Sequence, residues 1–242
     1  MKRIVVASVG FNWSRTLRGI YGIGLYPNDI VILVNSKPEK EDAVKAMNII
    51  KDRLSEVGVK ALELWLNPIE PFELNVARVR SLIERCAPCS VVILIAGGFR
   101  WITTVLIFSA TVLNTIGNLA RDSIIVEKIR IEIEEEIEGI DITDSKPLYI
   151  EIHRIPKLIN LTIEDYEILK IIGQNQDIRQ NSLTKKSIIK IKDIANQSGK
   201  PRTTIIRKLL KLEKIGLITR EVQGRYYTYK LTDIGKMLAI NT

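Results

Sequence analysis

Apolar positions in the first half of the chain form short continuous runs, and segments with helical periodicity separate these runs. Three predicted strands are continuous apolar runs, Ile4–Val9, Ile30–Val34 and Val91–Ala96, and in a fourth, Val59–Leu66, the residues Leu62, Leu64 and Leu66 alternate with other residues. The segments that follow them place apolar residues three or four positions apart, as amphipathic helices do: Ser14–Leu25, Pro38–Val57, Pro71–Ala87 and Trp101–Arg121. Strands this apolar, each followed by a helix, predict a parallel sheet with helices on both faces.

The pattern changes after residue 128. Ile129, Ile131 and Ile133 alternate with charged residues, and Leu148–Ile155 alternates again. Such alternation indicates strands with one face on the core and one in water, so we expect an antiparallel pair appended to the sheet. The first domain is therefore predicted to span residues 1–155, with Pro156–Asn160 as the linker.

The last third of the chain predicts a smaller domain, residues 161–242. Thr162 and Asp165 have the spacing of a capping box that opens a helix ending at Gly173. After a polar loop, the predicted elements are a strand at Ile188–Ile191, helices at Lys192–Gln197 and Pro201–Ile215, a hairpin of Leu217–Val222 and Tyr226–Leu231, and a helix from Thr232. This is the order of a winged helix-turn-helix. The predicted fold class is therefore an α/β domain with a mostly parallel sheet, followed by a mainly α winged helix-turn-helix domain.

Charge is divided unequally between the two domains of this chain, whose formal net charge is +8. Residues 156–242 contain 17 Lys and Arg against 8 Asp and Glu, whereas residues 1–155 contain 19 against 20. The whole basic excess lies in the second domain. It predicts a polyanionic partner, such as double-stranded DNA, for that domain alone.

The predicted helix Pro201–Ile215 has two faces when its residues are placed about 100° apart. One face is apolar: Ile205, Ile206, Leu209, Leu210 and Leu212. The other carries hydroxyls and cations: Thr203, Thr204, Arg207, Lys208, Lys211 and Lys214. A solvated Lys-rich face would have the same pattern, but the hairpin adds a second basic and aromatic cluster. The candidate DNA-binding residues are Lys200, Arg202, Thr203, Thr204, Arg207, Lys208, Lys211, Arg220, Arg225, Tyr226 and Tyr227.

Two stretches of this second domain, Ile191–Ser198 and Pro201–Ile218, resemble the winged helix regulators of the MarR and ArsR type. The resemblance covers the last third of the chain. It implies a DNA-binding transcriptional regulator, and a dimer of such domains would bind a palindromic promoter site.

Two glycine-containing loops follow the first and the fourth predicted strands. Gly10–Arg15 leads into the first helix, and Gly97–Arg100 leads into a long uncharged helix. In a sheet of order 3-2-1-4 these two strands are neighbours, at the point where ligands bind. Each loop combines glycines, a helix N-terminus and an arginine, which suits a phosphate, and Phe11, Trp13 and Phe99 would stack on bases. Glycines that only permit a tight turn are the alternative. The absence of GxGxxG and P-loop motifs disfavours NAD and nucleoside triphosphate hydrolysis.

The segments Ser8–Asn12 and Ala96–Arg100, together with the helices, tail strands and winged helix, resemble the archaeal CRISPR-associated regulators with a Rossmann-like CARF domain. The resemblance covers nearly the whole chain. It implies a homodimer that binds a cyclic oligoadenylate, the tetra-adenylate, across its two-fold axis and controls CRISPR and cas genes in antiviral defence. Slow cleavage of the bound ring, as in some relatives, is the alternative function. The implied ligand-binding residues are Ser8, Gly10, Phe11, Asn12, Trp13, Arg15, Gly97, Gly98, Phe99, Arg100 and Thr103.

Other functions find less support in the residues. The single histidine is His153, and the cysteines Cys86 and Cys89 follow a helical pattern rather than open a helix, as a redox pair would. We therefore expect structural thiols, no enzyme activity, no metal and no cofactor beyond the regulatory ligand. A further possibility is an adaptor protein whose winged helix binds no DNA, but the basic face of the predicted helix Pro201–Ile215 disfavours it.

The helix Trp101–Ala120 contains too many Thr and Asn residues to lie in lipid. We expect this helix to pack partly against its copy in a dimer, and we expect a cytoplasmic protein without a membrane partner.

Overall fold

The computed structural model of the chain describes residues 1–119, 123–133, 147–151, 159–176, 189–223 and 226–240. Within these residues the chain forms a six-stranded sheet with helices, followed by a smaller unit with a three-stranded sheet. The predicted domain end at Ile155, most of the predicted linker Pro156–Asn160, His153 and Arg225 lie outside the described residues.

The larger sheet contains five parallel strands and one antiparallel edge strand: β1 Lys2–Ser8, β2 Ile30–Ser36, β3 Lys60–Leu66, β4 Cys89–Ile95, β5 Ile124–Ile131 and β6 Leu148–Glu151. Its strand order is β3-β2-β1-β4-β5-β6. Every residue of β2 and β4 is buried, which explains why both strands are continuous apolar runs in the sequence. The predicted mostly parallel sheet, with the third, second, first and fourth strands in that order, is confirmed.

Four helices cover this sheet: α1 Trp13–Tyr21, α2 Glu41–Glu56, α3 Phe72–Glu84 and α4 Arg100–Ile116. Alternate residues of β1 pack on different helices. Val5 and Ala7 belong to the apolar cluster that includes α1 and α2, whereas Ile4 and Val6 belong to the cluster that includes α3 and α4. Since successive strand side chains point to opposite faces, both faces of the sheet are covered, as predicted. No helix in the described ranges, α4 included, is long and apolar enough to span a bilayer.

Strands β5 and β6 form the antiparallel pair that the sequence predicted at this edge of the sheet. The structure corrects the start of the first strand: β5 begins at Ile124 rather than Ile129, and it also pairs in parallel with β4. Glu127 is an extra residue in β5, where a bulge shifts the register. The buried apolar residues are Ile124 and Val126 before the bulge and Ile129 after it. Because the bulge moves the buried positions from even to odd numbers, an alternating pattern detects only the second half of the strand.

The smaller unit contains α5 Ile163–Gln174, β7 Ile189–Lys190, α6 Ile191–Ser198, α7 Arg202–Lys214, β8 Ile218–Gln223, β9 Tyr226–Leu231 and α8 Asp233–Ala239. β9 pairs antiparallel with both β7 and β8. The predicted capping box is present, because the Thr162 hydroxyl accepts from the Asp165 N–H and the Asp165 carboxylate accepts from the Thr162 N–H. Gly216 follows α7 with a φ of +75°, a conformation in which glycine commonly ends a helix.

The two units meet where α3 packs along α8, and one apolar core is continuous between them. A buried polar group lies at this contact. Arg80 of α3 is fully buried and donates to Glu84 at 2.9 Å and to the carbonyl oxygen of Ile240. The Tyr166 hydroxyl of α5 donates to Glu84 at 2.8 Å. Directional hydrogen bonds, as well as apolar packing, therefore fix the smaller unit on the larger one.

Candidate functional site

A cleft of about 280 Å³ opens at the carboxyl ends of β1 and β4. The two strands are parallel neighbours with Ser8 opposite Ile95, so the loops after them begin side by side. β1 leads to a helix on one face of the sheet and β4 to a helix on the other, which is where parallel sheets bind ligands. The cleft is lined by Val9, Gly10, Phe11, Asn12, Arg15, Asn35, Ala96, Gly97, Gly98 and Phe99.

The glycines of the two loops are explained by direct contact between their backbones. A Cβ atom at Gly10 would lie 2.7 Å from the amide nitrogen of Gly98, and a Cβ atom at Gly98 would lie 2.7 Å from the Val9 carbonyl oxygen. Gly97 and Gly98 also have φ values of +153° and +92°. Only glycine fits both requirements. This contact holds the two loops against each other, and residues of both loops line the cleft.

Seven of the eleven predicted ligand-binding residues line this cleft, whereas Ser8, Trp13, Arg100 and Thr103 do not. Ser8 is fully buried, and its hydroxyl accepts a hydrogen bond from the Ala96 N–H at 3.1 Å, so it holds the loop after β4 in place. Trp13 is half-buried and packs against the apolar cluster of α1 and α2, so its stacking on a base stays a prediction. Arg100 is exposed at the start of α4, and Thr103 is half-buried one turn later.

The cleft combines cations, a helix start and aromatic rings. Arg15 lines it from α1, and no side chain caps the first turn of α4. The Lys40 ammonium lies 5.9 Å from the centroid of the Phe99 ring, and Phe11 is 58% exposed. Helix starts and cations bind anions, and exposed rings stack on flat ligands. The arrangement therefore suits a ligand with both phosphate and base groups.

Sequence reasoning missed Asn35, which lines the cleft from the end of β2. Its side chain is 2% exposed, and its Oδ1 accepts from the Ser36 N–H at 2.7 Å. Its Nδ2 has no hydrogen-bond partner among the described residues. A single polar residue at the end of an apolar run has no recognisable pattern. The available signal was the strand order, because β2 borders β1 in a sheet of order 3-2-1-4.

In the smaller unit, α7 exposes a different face from the one that angular spacing predicted. Ile205, Leu209 and Leu212 are buried as expected, but Ile206 and Leu210 are 38% and 51% exposed, which corrects their assignment to the core face. The domain is small, so it covers only a narrow stripe of the helix. The exposed face of α7, as the term is used below, consists of Arg202, Thr203, Ile206, Arg207, Leu210 and Lys214.

Three predicted DNA-binding lysines face carboxylates in the first turn of α5. Lys208 lies 3.0 Å from Asp165 and 3.1 Å from Glu164, Lys211 lies 2.5 Å from Asp165, and Lys200 lies 2.9 Å from Glu164. Lys208 and Lys211 therefore pair with α5, a contact that angular spacing cannot show because it does not reveal which neighbouring element a helix face meets. Burial raises the pKa of Asp165, but hydrogen bonds from Lys211, Thr162 and Lys208 outweigh burial and lower the pKa from 3.8 to about 2.

The hairpin of β8 and β9 presents aromatic rings with cations beside them. Tyr226 and Tyr227 are both exposed. The Arg220 guanidinium lies 4.7 Å from the Tyr227 ring centroid, and the Lys190 ammonium lies 4.5 Å from that of Tyr226. Arg220 also pairs with Glu213 at 3.4 Å. Thr204, another predicted DNA-binding residue, lies on α7 rather than on the hairpin and is half-buried. Because Tyr226 and Tyr227 are successive residues of β9, the two ring–cation pairs lie on opposite faces of the hairpin.

The two cysteines are free thiols, with Cys86 half-buried and Cys89 buried. Burial raises the pKa of Cys89 to about 11, so this residue is protonated at neutral pH. Reactive cysteines have lowered pKa values, and the structure therefore supports structural thiols. Over the ranges that the structure describes, no group of three or more His, Cys, Asp or Glu side chains is arranged to hold a metal ion.

Comparison with known proteins gives a family match and partial structural likenesses. Residues 3–139, more than half of the chain, match the family described as the Csa3 CRISPR-associated Rossmann-like domain. No curated protein matches the chain. One similar solved structure is AF1382 from Archaeoglobus fulgidus, with 24% identity, a TM-score of 0.27, and 31% of this chain and 76% of that chain covered. Another is MepR, a transcription regulator of the Staphylococcus aureus multidrug efflux pump MepA, with 25% identity and a TM-score of 0.27. That alignment covers 33% of this chain and about half, 53%, of MepR.

Proposed function

Since the chain belongs to the family of the Csa3 CRISPR-associated Rossmann-like domain, we propose that it is a DNA-binding transcriptional regulator of CRISPR and cas genes. Its first domain binds a cyclic oligoadenylate, the tetra-adenylate, across the two-fold axis of a homodimer. Its second domain, starting near residue 161, binds double-stranded DNA at a palindromic promoter site. Ligand binding changes the affinity for DNA.

The cleft at the ends of β1 and β4 is the observation that carries the ligand proposal. Phosphates would lie at the start of α4 and beside Arg15, where backbone N–H groups and a guanidinium favour anions. Phe11 and Phe99 are exposed at the same cleft and would stack on bases. A mononucleotide would use one such cleft. A cyclic tetranucleotide has two-fold symmetry and would use two identical clefts.

The homodimer follows from this symmetry. Two copies related by a two-fold axis would present their clefts to equivalent halves of the ring. α4 starts beside the cleft and exposes Thr104 and Phe108, so we assign the contact between copies to this helix. In that arrangement Arg100, which does not line the cleft of its own copy, would face the ring near the axis.

The exposed face of α7 and the hairpin of β8 and β9 form the proposed DNA surface. Arg207 is placed to contact a base edge or a phosphate, and Ile206 and Leu210 suit the methyl groups of thymine. Arg202 and Thr203 begin the helix on the same face. Arg220 and Tyr226 of the hairpin would follow the DNA backbone, as the wing does in winged helix proteins. Lys208 and Lys211 act instead by holding α7 on α5.

Calorimetric titration of cyclic tetra-adenylate into the full chain tests the ligand proposal. We expect saturable binding with one ring per two chains. Arg15→Ala and Phe99→Ala should each weaken binding by about tenfold or more, or about 1.4 kcal/mol. The matched control is Arg53→Ala, an exposed arginine of α2 that pairs with Glu56 and does not line the cleft. The proposal fails if the wild type does not bind, or if Arg15→Ala and Arg53→Ala bind alike.

We assign no catalytic role to any residue, and cleavage of the bound ring is the alternative function. An arginine at a bound phosphate can accelerate strained phosphodiester cleavage without a further catalytic group. Prolonged incubation of the protein with cyclic tetra-adenylate, followed by mass spectrometry, separates the two functions. The regulator leaves the ring intact, whereas linear products formed by the wild type but not by Arg15→Ala would establish a ring nuclease.

A further inference from the structure

Asn35 is a buried hydrogen-bond donor without an acceptor at the wall of the ligand cleft. The Ser36 N–H donates to its Oδ1 at 2.7 Å, and this contact fixes which end of the amide is oxygen and which is nitrogen. The Nδ2 atom is left without a partner among the described residues, although the side chain is 2% exposed. Buried donors are almost always satisfied, so an unsatisfied one beside a cleft indicates an acceptor that arrives with a ligand.

The position of Asn35 in the sheet indicates which part of a nucleotide would reach it. The anion-binding groups belong to the loops after β1 and β4, whereas Asn35 belongs to β2, on the far side of β1. Neighbouring strands are about 4.8 Å apart, so β2 lies about 10 Å from β4, comparable to the distance from a phosphate to the far edge of the base of the same nucleotide. With its phosphate at the start of α4, a nucleotide would extend its base across β1 towards β2.

The chemistry of the donor also favours a base. Nδ2 is neutral and shielded from solvent just beneath the cleft surface. Bringing a charged phosphate oxygen to this buried atom would cost much of the hydration free energy of that oxygen. A ring nitrogen of adenine is a neutral acceptor and loses far less hydration free energy on burial than a phosphate oxygen does. Asparagine is moreover a common partner of adenine in protein–nucleic acid contacts.

We infer that the Asn35 amide donates a hydrogen bond to a ring nitrogen of an adenine base bound in the cleft. This contact rests on the proposed binding of cyclic tetra-adenylate and adds a residue that contacts the base. The lining loops part slightly around the base so that the ring nitrogen reaches Nδ2. The segment between β2 and α2 then forms a third wall of the site, with Lys40 beside Phe99.

A double-mutant cycle with base-modified ligands tests this contact in the full chain. Cyclic tetra-adenylate and its 1-deaza, 3-deaza and 7-deaza analogues, in each of which one ring nitrogen is replaced by C–H, are titrated into wild type and Asn35→Ala. We expect Asn35→Ala to weaken binding of the parent ring by about tenfold. One analogue should weaken binding to the wild type by a similar factor and should lose nothing further in Asn35→Ala.

The matched control is Asn75→Ala, because Asn75 is also 2% exposed but is fully paired with Asn67 and does not line the cleft. It should retain wild-type affinity for the ring. Thermal unfolding of each variant without ligand reports on folding, and Asn35→Ser replaces Asn35→Ala if the latter does not fold. The inference is overturned if all three analogues bind the wild type like the parent ring, or if the losses from analogue and variant simply add. Failure of the wild type to bind any ring overturns the proposed function itself, whereas binding that depends on Arg15 but not on Asn35 overturns only this contact.

Discussion

At the scale of single residues, the contact between the two units depends on a few directional bonds. Glu84 accepts from both Arg80 and Tyr166, one on α3 and one on α5. Burial, and the charge of Glu84, raise the pKa of Tyr166 well above its usual range, so its hydroxyl stays protonated and remains the donor. Removing that hydroxyl leaves Glu84 with Arg80 but removes one of the hydrogen bonds between the two units.

Tyr166→Phe should therefore lower the free energy of unfolding by about 1–2 kcal/mol, because it deletes one buried hydrogen bond to a charged group without making a large cavity. Urea denaturation followed by circular dichroism measures the change. Tyr26→Phe is the matched control, since Tyr26 is 67% exposed. Equal stability of Tyr166→Phe and the wild type would show that the interface does not depend on this bond.

Residues constrained by the backbone were easier to predict than residues defined by their neighbours. The glycine loops could be located because strands of known order place them together, and Gly10 and Gly98 indeed touch. Asn35 could not be located, because a lone asparagine forms no pattern. The carboxylate partner of Lys208 was missed for a related reason: the position of Lys208 on a helix is periodic, but the carboxylate of Asp165 that it meets belongs to another helix.

At the scale of elements, α5 and α7 are joined by the carboxylates of α5 and the lysines of α7. The pKa of Asp165 is lower in the folded protein, about 2, than its usual 3.8. A lowered pKa means that the charged carboxylate favours the folded state, so its stabilisation is complete above about pH 4 and is lost as the pH falls towards about 2. The α5–α7 contact is therefore acid-sensitive.

When the pH is lowered from about 6 to about 3, protonation of the Asp165 carboxyl group alone should reduce the free energy of unfolding by about 1 kcal/mol. Asp165→Asn should lose this part of the pH dependence, since asparagine does not titrate, although it keeps an oxygen for the Thr162 N–H. Urea denaturation of both proteins at each pH measures the difference between their slopes. Parallel pH profiles would rule out the proposed role of Asp165.

The assignment of DNA contacts also belongs to this scale, because α7 has one face on α5 and one in solvent. Arg207→Ala should weaken binding of a promoter duplex by about 1–3 kcal/mol if Arg207 reads a base. Lys208→Ala, the adjacent residue, should change DNA affinity less and the free energy of unfolding more, since Lys208 pairs with Asp165 and Glu164. Fluorescence anisotropy at several salt concentrations measures the affinities. The opposite ranking of the two variants would place Lys208 on the DNA surface instead.

Elements with a regular pattern were predicted well, and irregular ones were not. The parallel strands and their helices follow from apolar runs and helical spacing. The start of β5 was missed because the extra residue Glu127 reverses the alternation. The buried stripe of α7 was predicted too wide. Helical spacing shows that Ile206 and Leu210 lie beside the buried residues, but it does not show how much of the helix surface the rest of the domain covers.

At the scale of the whole molecule, the cleft and the proposed DNA surface lie on units that share a continuous apolar core. α4 begins at the cleft, packs on α3, and α3 in turn packs on α8. A change at the start of α4 that alters its packing would thus reach the smaller unit through adjoining helices. Coupling between two sites must be reciprocal: if the ring changes DNA affinity by some factor, DNA changes ring affinity by the same factor.

The most direct test of the account is the affinity of the full chain for a promoter-derived duplex with and without saturating cyclic tetra-adenylate. The account predicts that the ring changes the dissociation constant for DNA by a factor typical of allosteric coupling, about 5- to 150-fold. Arg15→Ala should abolish this change at ring concentrations that saturate the wild type, while its DNA affinity without the ring stays the same. An unchanged dissociation constant in the presence of saturating ring would contradict the claim that this protein is a ligand-responsive regulator.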